Sequence, residues 1–380
     1  MKGAFWPSRQ RKLAKGCYFS IPCRWAVEIR YCMRKALGSF FGDMKNEDRP
    51  PITKPPILFA QTQKVIAKLE DELKGSFVAY WSSGNGSVCH NDVAAFYELL
   101  KNLPPKKKLY LFIKSNGGNG QAAMRIVNLW RRYAKNITAL VPLECASAAT
   151  MMALGADDIH MGPLAYLTAV DTSLTHALSP VDRNNYAVSV SQDELNRVLR
   201  LWKESQNKDE PPTNPYPSLY THLHPLVFGA IDRASSLSIQ ICEEILSYHL
   251  DDPVERNRIS KHLNSAYPSH GYPITLREAK RIGLKVSEMD PKINDLLIEL
   301  NEIFSEMGQQ AITDFDEFNS HDHEILNIIE GKGVSFLYQN DKDLHYRKEE
   351  RRWVSLNDQS AWQRVTKSGS KMKMSRFHIR

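Results

Sequence analysis

The chain has 380 residues, of which 42% are hydrophobic, and this is enough for one large α/β core with appendages. Its formal net charge of +7 comes from the ends, because residues 1–45 carry ten Lys and Arg against two acidic residues, and residues 366–380 carry five and no acidic residue. Residues 46–365 are therefore mildly acidic, which argues against a nucleic-acid-binding surface on the body of the protein.

The first 45 residues mix basic side chains with aromatic ones, a pattern typical of a helix on a membrane surface or of a disordered arm. Met44 opens a polar, proline-rich lead-in to a helix, so a dispensable or mis-assigned extension is a further interpretation. No run of about 18 uncharged apolar residues and no signal-peptide pattern occurs. We therefore expect a cytoplasmic protein, with any membrane contact peripheral and through this arm.

Two units of strand followed by helix occupy the middle of the chain. Residues 109–114 are an apolar run of strand-forming residues, and the turn SNGGNG leads into a predicted helix over 121–135. Residues 137–142 read as a second buried strand, and Ser147 begins an alanine-rich helix. This alternation predicts parallel pairing of the two strands.

The residues that follow these two strands are the candidates for a catalytic site. Gly117 and Gly118 in the turn, and Ala148 beside Ser147, offer backbone N–H groups to an anion. A serine next to such donors is what acyl transfer requires. The same residues also fit a structural interpretation, with the glycines ending a strand and Ser147 capping a helix. GxGxxG and GxxxxGK[ST] are absent, which argues against a nucleotide site.

Six cysteines show neither CxxC pairs nor histidines at zinc spacing. This indicates reduced thiols in the cytosol, and we expect neither a metal nor a cofactor. Cys145 stands two residues before Ser147, so a cysteine nucleophile is conceivable, but we interpret it as a buried strand thiol.

The second half of the chain reads as helices and then short strands. Ser191 and Glu194 have the spacing of a capping box, and residues 219–250 read as one long helix. A helix over 293–307 precedes three strand-like runs, GVSFLYQN, LHYRKE and RRWVSLN, which predict a small antiparallel addition. The tail from Lys367 is expected to be disordered.

Three motifs together resemble a known family. SNGGNGQAA, SAATMMALGADDIHMGP and YPSHGYPITLREAKRIGL occur in the order found in the serine dehydrogenase proteinase family, which is related to signal peptide peptidase SppA within the ClpP/crotonase-like superfold. The resemblance covers about residues 78–286. It implies an α/β fold with a parallel sheet and flanking helices, to which the C-terminal part adds a small α+β unit.

Carried over by this resemblance, Ser147 corresponds to the nucleophile, Gly117 and Gly118 to the oxyanion-side turn, and Ala148 to the residue whose N–H completes the oxyanion hole. The resemblance also implies a polypeptide substrate and a homo-oligomer. This chain departs from the family in SNGG, where the family has a proline before the glycines, and in LTAVDTS, where the family has a GPxDPQ-like run.

Three residues are candidates for the general base. SppA-like enzymes use a lysine, for which Lys203 is the candidate, whereas Clp proteases use histidine and aspartate, for which His176 and Asp171 are the candidates. Each also has a structural interpretation: a solvated charge, a turn residue and a helix cap, respectively. His270 matches the family's third motif, where Gly271 replaces an acidic residue, and we interpret it as holding a loop.

We therefore expect four parts: a basic extension over 1–45, a ClpP/crotonase-like serine protease domain over 46–290, a C-terminal helix and antiparallel strands over 291–365, and a basic tail over 366–380. The hypothesis is a serine peptidase. The alternatives are a non-catalytic module that binds peptides in the same groove, and an acyl-CoA enzyme of the crotonase type.

Overall fold

The computed structural model describes residues 50–101, 108–183, 186–206, 211, 213–368 and 371–377. These residues belong to one compact unit. The predictions made for residues 1–45, including the start at Met44 and the membrane-surface arm, lie outside the described residues. Within the described ranges, no helix combines the length and apolar character that crossing a membrane requires.

The strands of the described residues follow in chain order. They are β1 Ser76–Ser82, β2 Lys108–Lys114, β3 Asn136–Val141, β4 Glu144–Cys145, β5 Asp158–Met161, β6 Tyr166–Leu167, β7 Ser173–Leu174, β8 Val190–Ser191, β9 Val286–Glu288, β10 Ile312–Asp314, β11 Asn319–Asp322, β12 Ile325–Gly331, β13 Val334–Gln339, β14 Lys342–Arg347, β15 Arg352–Asp358, β16 Ala361–Ser368 and β17 Lys371–Phe377.

The helices of the described residues alternate with the first strands and then run together. They are α1 Phe59–Leu73, α2 His90–Leu100, α3 Gly120–Tyr133, α4 Ala148–Leu154, α5 Gln192–Ser205, α6 Tyr216–Leu219, α7 Pro225–Leu246, α8 Pro253–Ser265, α9 Leu276–Arg281 and α10 Pro291–Met307.

A nine-stranded mixed sheet forms the centre, in the order β17-β16-β13-β12-β1-β2-β3-β5-β9. Strands β1, β2, β3, β5 and β9 pair in parallel, and the four strands on the other side of β1 pair antiparallel. The predicted parallel pairing of the strands before the Gly-Gly turn and before Ser147 is confirmed, with Leu111 opposite Ala139.

Helices cover both faces of this sheet. Every residue of β1 is buried, because alternate side chains enter two separate cores, with Tyr80 in the first and Trp81 in the second. Helices α2, α3, α4, α7 and α8 contribute to the first core, while α1 and α10 contribute to the second. Such three-layer packing is how parallel strands are shielded from water, and it confirms a mixed α/β fold with flanking helices.

The C-terminal part is more closely integrated than the sequence analysis expects. Strands β12, β13, β16 and β17 continue the central sheet, while β10, β11, β14 and β15 form a separate four-stranded sheet. In β12, Ile328 and Ile329 enter opposite cores, as do Phe336 and Leu337 in β13. Apolar side chains on both faces are what an internal strand requires. The division into domains stays a prediction.

Two other expectations differ from the structure. The helix predicted over 219–250 is interrupted, and α7 begins at Pro225, where the His224 ring accepts the Leu226 N–H at 3.2 Å. Proline lacks an N–H and favours the first helical position, which explains the break. The tail expected to be disordered contains β17, paired with β16. The capping box of Ser191 with Glu194 is confirmed.

A carboxyl group lies inside the sheet, at Glu330 of β12. Glu330 is fully buried and pairs with Ala79 of β1. Its carboxylate accepts hydrogen bonds from the Thr62 hydroxyl and from the Gln63 side-chain amide, the latter at 2.7 Å. Burial raises the pKa of Glu330 to about 7, because the desolvation of the charged form outweighs the hydrogen bonds that favour it.

We expect the stability of the protein to fall with rising pH because of Glu330. Between pH 4.5 and 7 the native state retains a proton that the unfolded chain has lost, so the free energy of unfolding decreases as pH rises through this window. The total loss is on the order of 3 kcal/mol. Urea unfolding from pH 4 to 8 should show this slope flattened in Glu330→Gln and unchanged in Glu306→Gln, a matched change at an exposed helical position. An identical slope in both variants would contradict the assignment.

Candidate functional site

Ser147 lies at a tight turn between β4 and α4. Its backbone has φ 52° and ψ −119°, a positive φ that is unusual for a residue with a side chain and costs about 1–3 kcal/mol. Its side chain makes no capping hydrogen bond, although it stands at the N-cap position. Among the described residues the Ser147 hydroxyl has no hydrogen-bond partner, so the simple N-cap interpretation does not account for this serine.

A short chain of threonine contacts holds this turn. The Ser147 N–H donates to the Thr168 hydroxyl at 2.9 Å, and the Thr168 N–H donates to the Thr150 hydroxyl at 3.2 Å. The Thr150 hydroxyl itself donates to the Cys145 carbonyl at 2.8 Å. Both threonines are buried, so these bonds are protected from water and secure the backbone on both sides of Ser147.

The Gly-Gly turn packs directly against Ser147. Gly117 has φ 96°, and a Cβ placed on it would lie 2.6 Å from both the Ala146 carbonyl oxygen and the Ser147 Cβ. The Gly117 N–H donates to the Ser115 hydroxyl at 3.1 Å, and the Gly117 carbonyl accepts the Val88 N–H at 2.7 Å. Only a glycine permits this close approach of two strand ends.

Two backbone N–H groups lie where the Gly-Gly turn meets the Ser147 turn. Within the part of the chain that the structure describes, neither the Gly118 N–H nor the Ala148 N–H has a hydrogen-bond partner. Gly118 is exposed, whereas Ala148 is 1% exposed and begins α4 directly after Ser147. Unpaired donors beside a free hydroxyl are suited to an oxygen atom that gains negative charge.

Asp171 and His270 meet although 99 residues separate them. The His270 Nδ1 and the Asp171 Oδ1 are 2.6 Å apart, and the side chains are 49% and 17% exposed. The hydrogen bond to Asp171 raises the pKa of His270 above its ordinary value, since the carboxylate favours the protonated ring, and partial burial opposes it. Asp171 therefore does not act here as a helix cap.

The other two candidates for a base lie in different surroundings. The His176 Nδ1 accepts the Leu178 N–H at 3.1 Å, within a turn that the Ser179 hydroxyl also closes. Lys203 is exposed in the last turn of α5, and its ammonium group forms no hydrogen bond or ion pair with any described residue. The structure thus brings Ser147, Gly117, Gly118 and Ala148 together, and hydrogen bonds join neither His176 nor Lys203 to that group.

Cys145 is fully buried in β4, and burial raises its pKa well above the ordinary value for a thiol. Because the thiolate is the nucleophilic form, this environment does not suit a reactive cysteine. Cys89, Cys145 and Cys242 are all free thiols. Across the described residues, no group of three or more potential ligands is placed to hold a metal ion.

Asp171 also lines an open cavity of about 270 Å³, most of whose lining residues have polar side chains. The cavity lies among α5, α7 and α8, and its walls include Thr172, Asn196, Ser235 and Lys261. Hydroxyl, amide and ammonium groups of this kind can bind a polar group of a ligand.

The sequence does not indicate a chemical role for His270 or Thr168. His270 stands in the segment YPSHGYPIT, where the resemblance to the family already marked a histidine, but its partner is far away in the sequence. Thr168 gave no signal, because a threonine after a short strand is common. The pairing of Leu167 with Ile274 places the two segments side by side.

Solved structures are similar to this chain at low sequence identity. No protein-family model and no curated protein match the chain. Two structurally similar chains are forms of 1510-N membrane-bound stomatin-specific protease. A lysine-to-alanine mutant in complex with a substrate peptide has 14% identity, a TM-score of 0.34, and coverage of 55% of this chain and 73% of that chain. A serine-to-alanine mutant has 16% identity, a TM-score of 0.35, and coverage of 56% and 80%. Because both similarities are low, the fold described above rests on the topology of this chain.

We expect Thr168→Val to weaken the turn that carries Ser147. The change preserves the shape of the side chain but removes the acceptor of the partly buried Ser147 N–H, and leaving such a donor unpaired costs up to about 1–3 kcal/mol. Urea unfolding would measure the loss. Thr168→Ser keeps the hydroxyl and serves as the control, so equal losses in both variants would speak against this hydrogen bond.

Gly117→Ala should be more damaging. The new Cβ would overlap the Ala146 carbonyl and the Ser147 side chain, and the positive φ adds strain, so we expect destabilisation by about 2 kcal/mol or more. Gly84→Ala is the matched control, because a Cβ there meets no atom within 4 Å. Thermal unfolding would compare them, and equal melting temperatures would contradict the close approach at Gly117.

Proposed function

We propose that this chain is a serine hydrolase that acts on polypeptides, with Ser147 as the nucleophile. The observation that supports it most is the free Ser147 hydroxyl on a strained turn, next to two unpaired backbone N–H groups. A residue held at positive φ by its surroundings, with its side chain uncommitted, is typical of functional sites rather than of helix caps.

In the proposed reaction the Ser147 Oγ attacks the carbonyl carbon of a peptide bond. The carbonyl oxygen becomes negatively charged and accepts hydrogen bonds from the Gly118 and Ala148 N–H groups. Each such donor is worth about 3 kcal/mol of barrier lowering in known enzymes. Gly117 contributes by its shape, since its hydrogen atom allows the turn to approach Ser147.

The reaction also requires a proton acceptor. Lys203, His176 and Asp171 are the candidates that the sequence proposes, and Asp171 stands closest in the sequence to Thr168, which is bonded to Ser147. Asp171 follows Thr168 by three residues, and Thr168 accepts the Ser147 N–H. Lys203 and His176 stay proposals, because neither side chain forms a hydrogen bond with Ser147 among the described residues.

The choice of a polypeptide substrate rests on the three sequence motifs that resemble the serine dehydrogenase proteinase family. We propose a homo-oligomeric assembly on the same basis. A cytoplasmic location and peripheral membrane contact through residues 1–45 are proposals that rest on composition.

A non-catalytic module that binds peptides at the same place is the second candidate. It is favoured by the Ser147 hydroxyl itself, which forms no hydrogen bond with a base among the described residues. In an enzyme without substrate such a bond is often long, so this observation does not exclude catalysis.

The test is labelling of the full chain with a fluorophosphonate probe, which reacts with activated serines. We expect labelling of the protein and its complete loss in Ser147→Ala, because Ser147 is the proposed nucleophile. Ser236→Ala, at an exposed position of α7, is the control and should label fully. Absence of labelling in the unchanged protein would support the binding module.

A further inference from the structure

We propose that the outer edge of β17 binds an extended acidic segment of a partner protein, which joins the central sheet as a further strand. The segment alternates acidic and apolar side chains. This inference goes beyond the proposed function and does not depend on Ser147. It rests on the position of β17 in the sheet, on the charges of its side chains and on their alternation along the strand.

Strand β17 is the last strand of the nine-stranded sheet, and its inner side pairs with β16. The pairing extends over the whole strand, from Phe377 opposite Trp362 to Lys371 opposite Ser368. Across the described residues, no other segment hydrogen-bonds to the main chain of β17 on its outer side. An edge of this kind carries N–H and C=O groups that can pair with a strand of another chain.

The side chains of β17 alternate between two chemical characters. Lys371 and Lys373 share one face of the strand, and both are exposed. Met372 and Met374 lie on the other face, where they are 50% and 48% exposed. A strand paired with this edge therefore meets cations on one face and adaptable apolar side chains on the other.

The outer part of the sheet contains no acidic residue that could compensate these cations. The sequence of β16, AWQRVTKS, has two basic residues, that of β17, KMKMSRF, has three, and neither contains Asp or Glu. Within the described part of the chain, none of these basic side chains forms an ion pair, and Arg376 donates to the Gln359 carbonyl at 3.3 Å. The edge is therefore positively charged, and carboxylates of a partner would neutralise it.

A second copy of this chain does not suit the edge. Pairing of two β17 strands edge to edge would bring their cations together, and like charges opposite each other destabilise a strand pair. Exposed lysines on an edge strand protect a protein from such self-association. The charges that disfavour a second copy are the same ones that favour an acidic partner.

A nucleic acid would also be attracted to these cations, but it uses fewer features of the edge. Its phosphates accept hydrogen bonds from charged side chains, whereas the C=O groups of the strand and the exposed methionines offer them nothing. An acidic protein strand pairs with the main chain, places carboxylates beside Lys371 and Lys373, and places apolar side chains beside Met372 and Met374. The edge therefore favours a protein strand.

The test is fluorescence anisotropy with the full chain and a fluorescein-labelled peptide of Val-Glu repeats. We expect this peptide to bind and a peptide of Pro-Glu repeats not to bind, because proline lacks the N–H that strand pairing needs. Lys371→Glu/Lys373→Glu should weaken binding of the Val-Glu peptide by about tenfold or more, since like charges replace opposite ones across the strands. Lys12→Glu/Lys15→Glu, an equal change of charge among the basic N-terminal residues, is the matched control and should leave the affinity unchanged.

A charge swap separates loss of the site from loss of the fold. Lys371→Glu/Lys373→Glu should bind a peptide of Val-Lys repeats more tightly than the unchanged protein does, which an unfolded chain cannot do. If circular dichroism shows that this variant is unfolded, Lys371→Gln/Lys373→Gln replaces it and should also weaken binding of the Val-Glu peptide.

Four results would overturn the proposal. They are no binding of the Val-Glu peptide, equal binding of the Val-Glu and Pro-Glu peptides, unchanged binding when Lys371 and Lys373 are replaced, and binding of a single-stranded oligonucleotide through these two lysines in place of the Val-Glu peptide. Equal binding of the two peptides would indicate attraction between charges without strand pairing. Binding of the oligonucleotide alone would indicate a site for phosphates.

Discussion

The positive φ of Ser147 is the constraint on which the candidate site depends. Two contacts enforce it: the Gly117 backbone fills the space beside the Ser147 Cβ, and the Thr168 hydroxyl binds the Ser147 N–H at 2.9 Å. The strain of about 1–3 kcal/mol is small compared with the packing of the surrounding core, so the fold can maintain it. The result is a hydroxyl that makes no hydrogen bond to the helix end, which an ordinary N-cap serine would do.

The C-terminal strands help to hold the Gly-Gly turn that packs against Ser147. β12 pairs with β1, and its Asn327 side chain donates to the Ser87 carbonyl at 2.8 Å and to the buried Asp92 carboxylate at 3.1 Å. The neighbouring Val88 binds the Gly-Gly turn on both sides, through its N–H to Gly117 and its carbonyl to Asn119. The C-terminal part, which the sequence suggests is an appendage, therefore helps through Asn327 to hold the Gly-Gly turn with its proposed oxyanion donor. It also closes the edge that β1 would otherwise expose.

Local patterns predicted strands β2 and β3, the Gly-Gly turn and the capping box at Ser191, since each depends on residues within a few positions of one another. Ser147 was found in the same way. The pairing of β1 with β12 and of Asp171 with His270 could not be read from the sequence, because the partners are more than 90 residues apart and no local property selects them. The tail was misjudged for a related reason: β17 has exposed, basic side chains, and only its hydrogen bonds to β16 make it a strand.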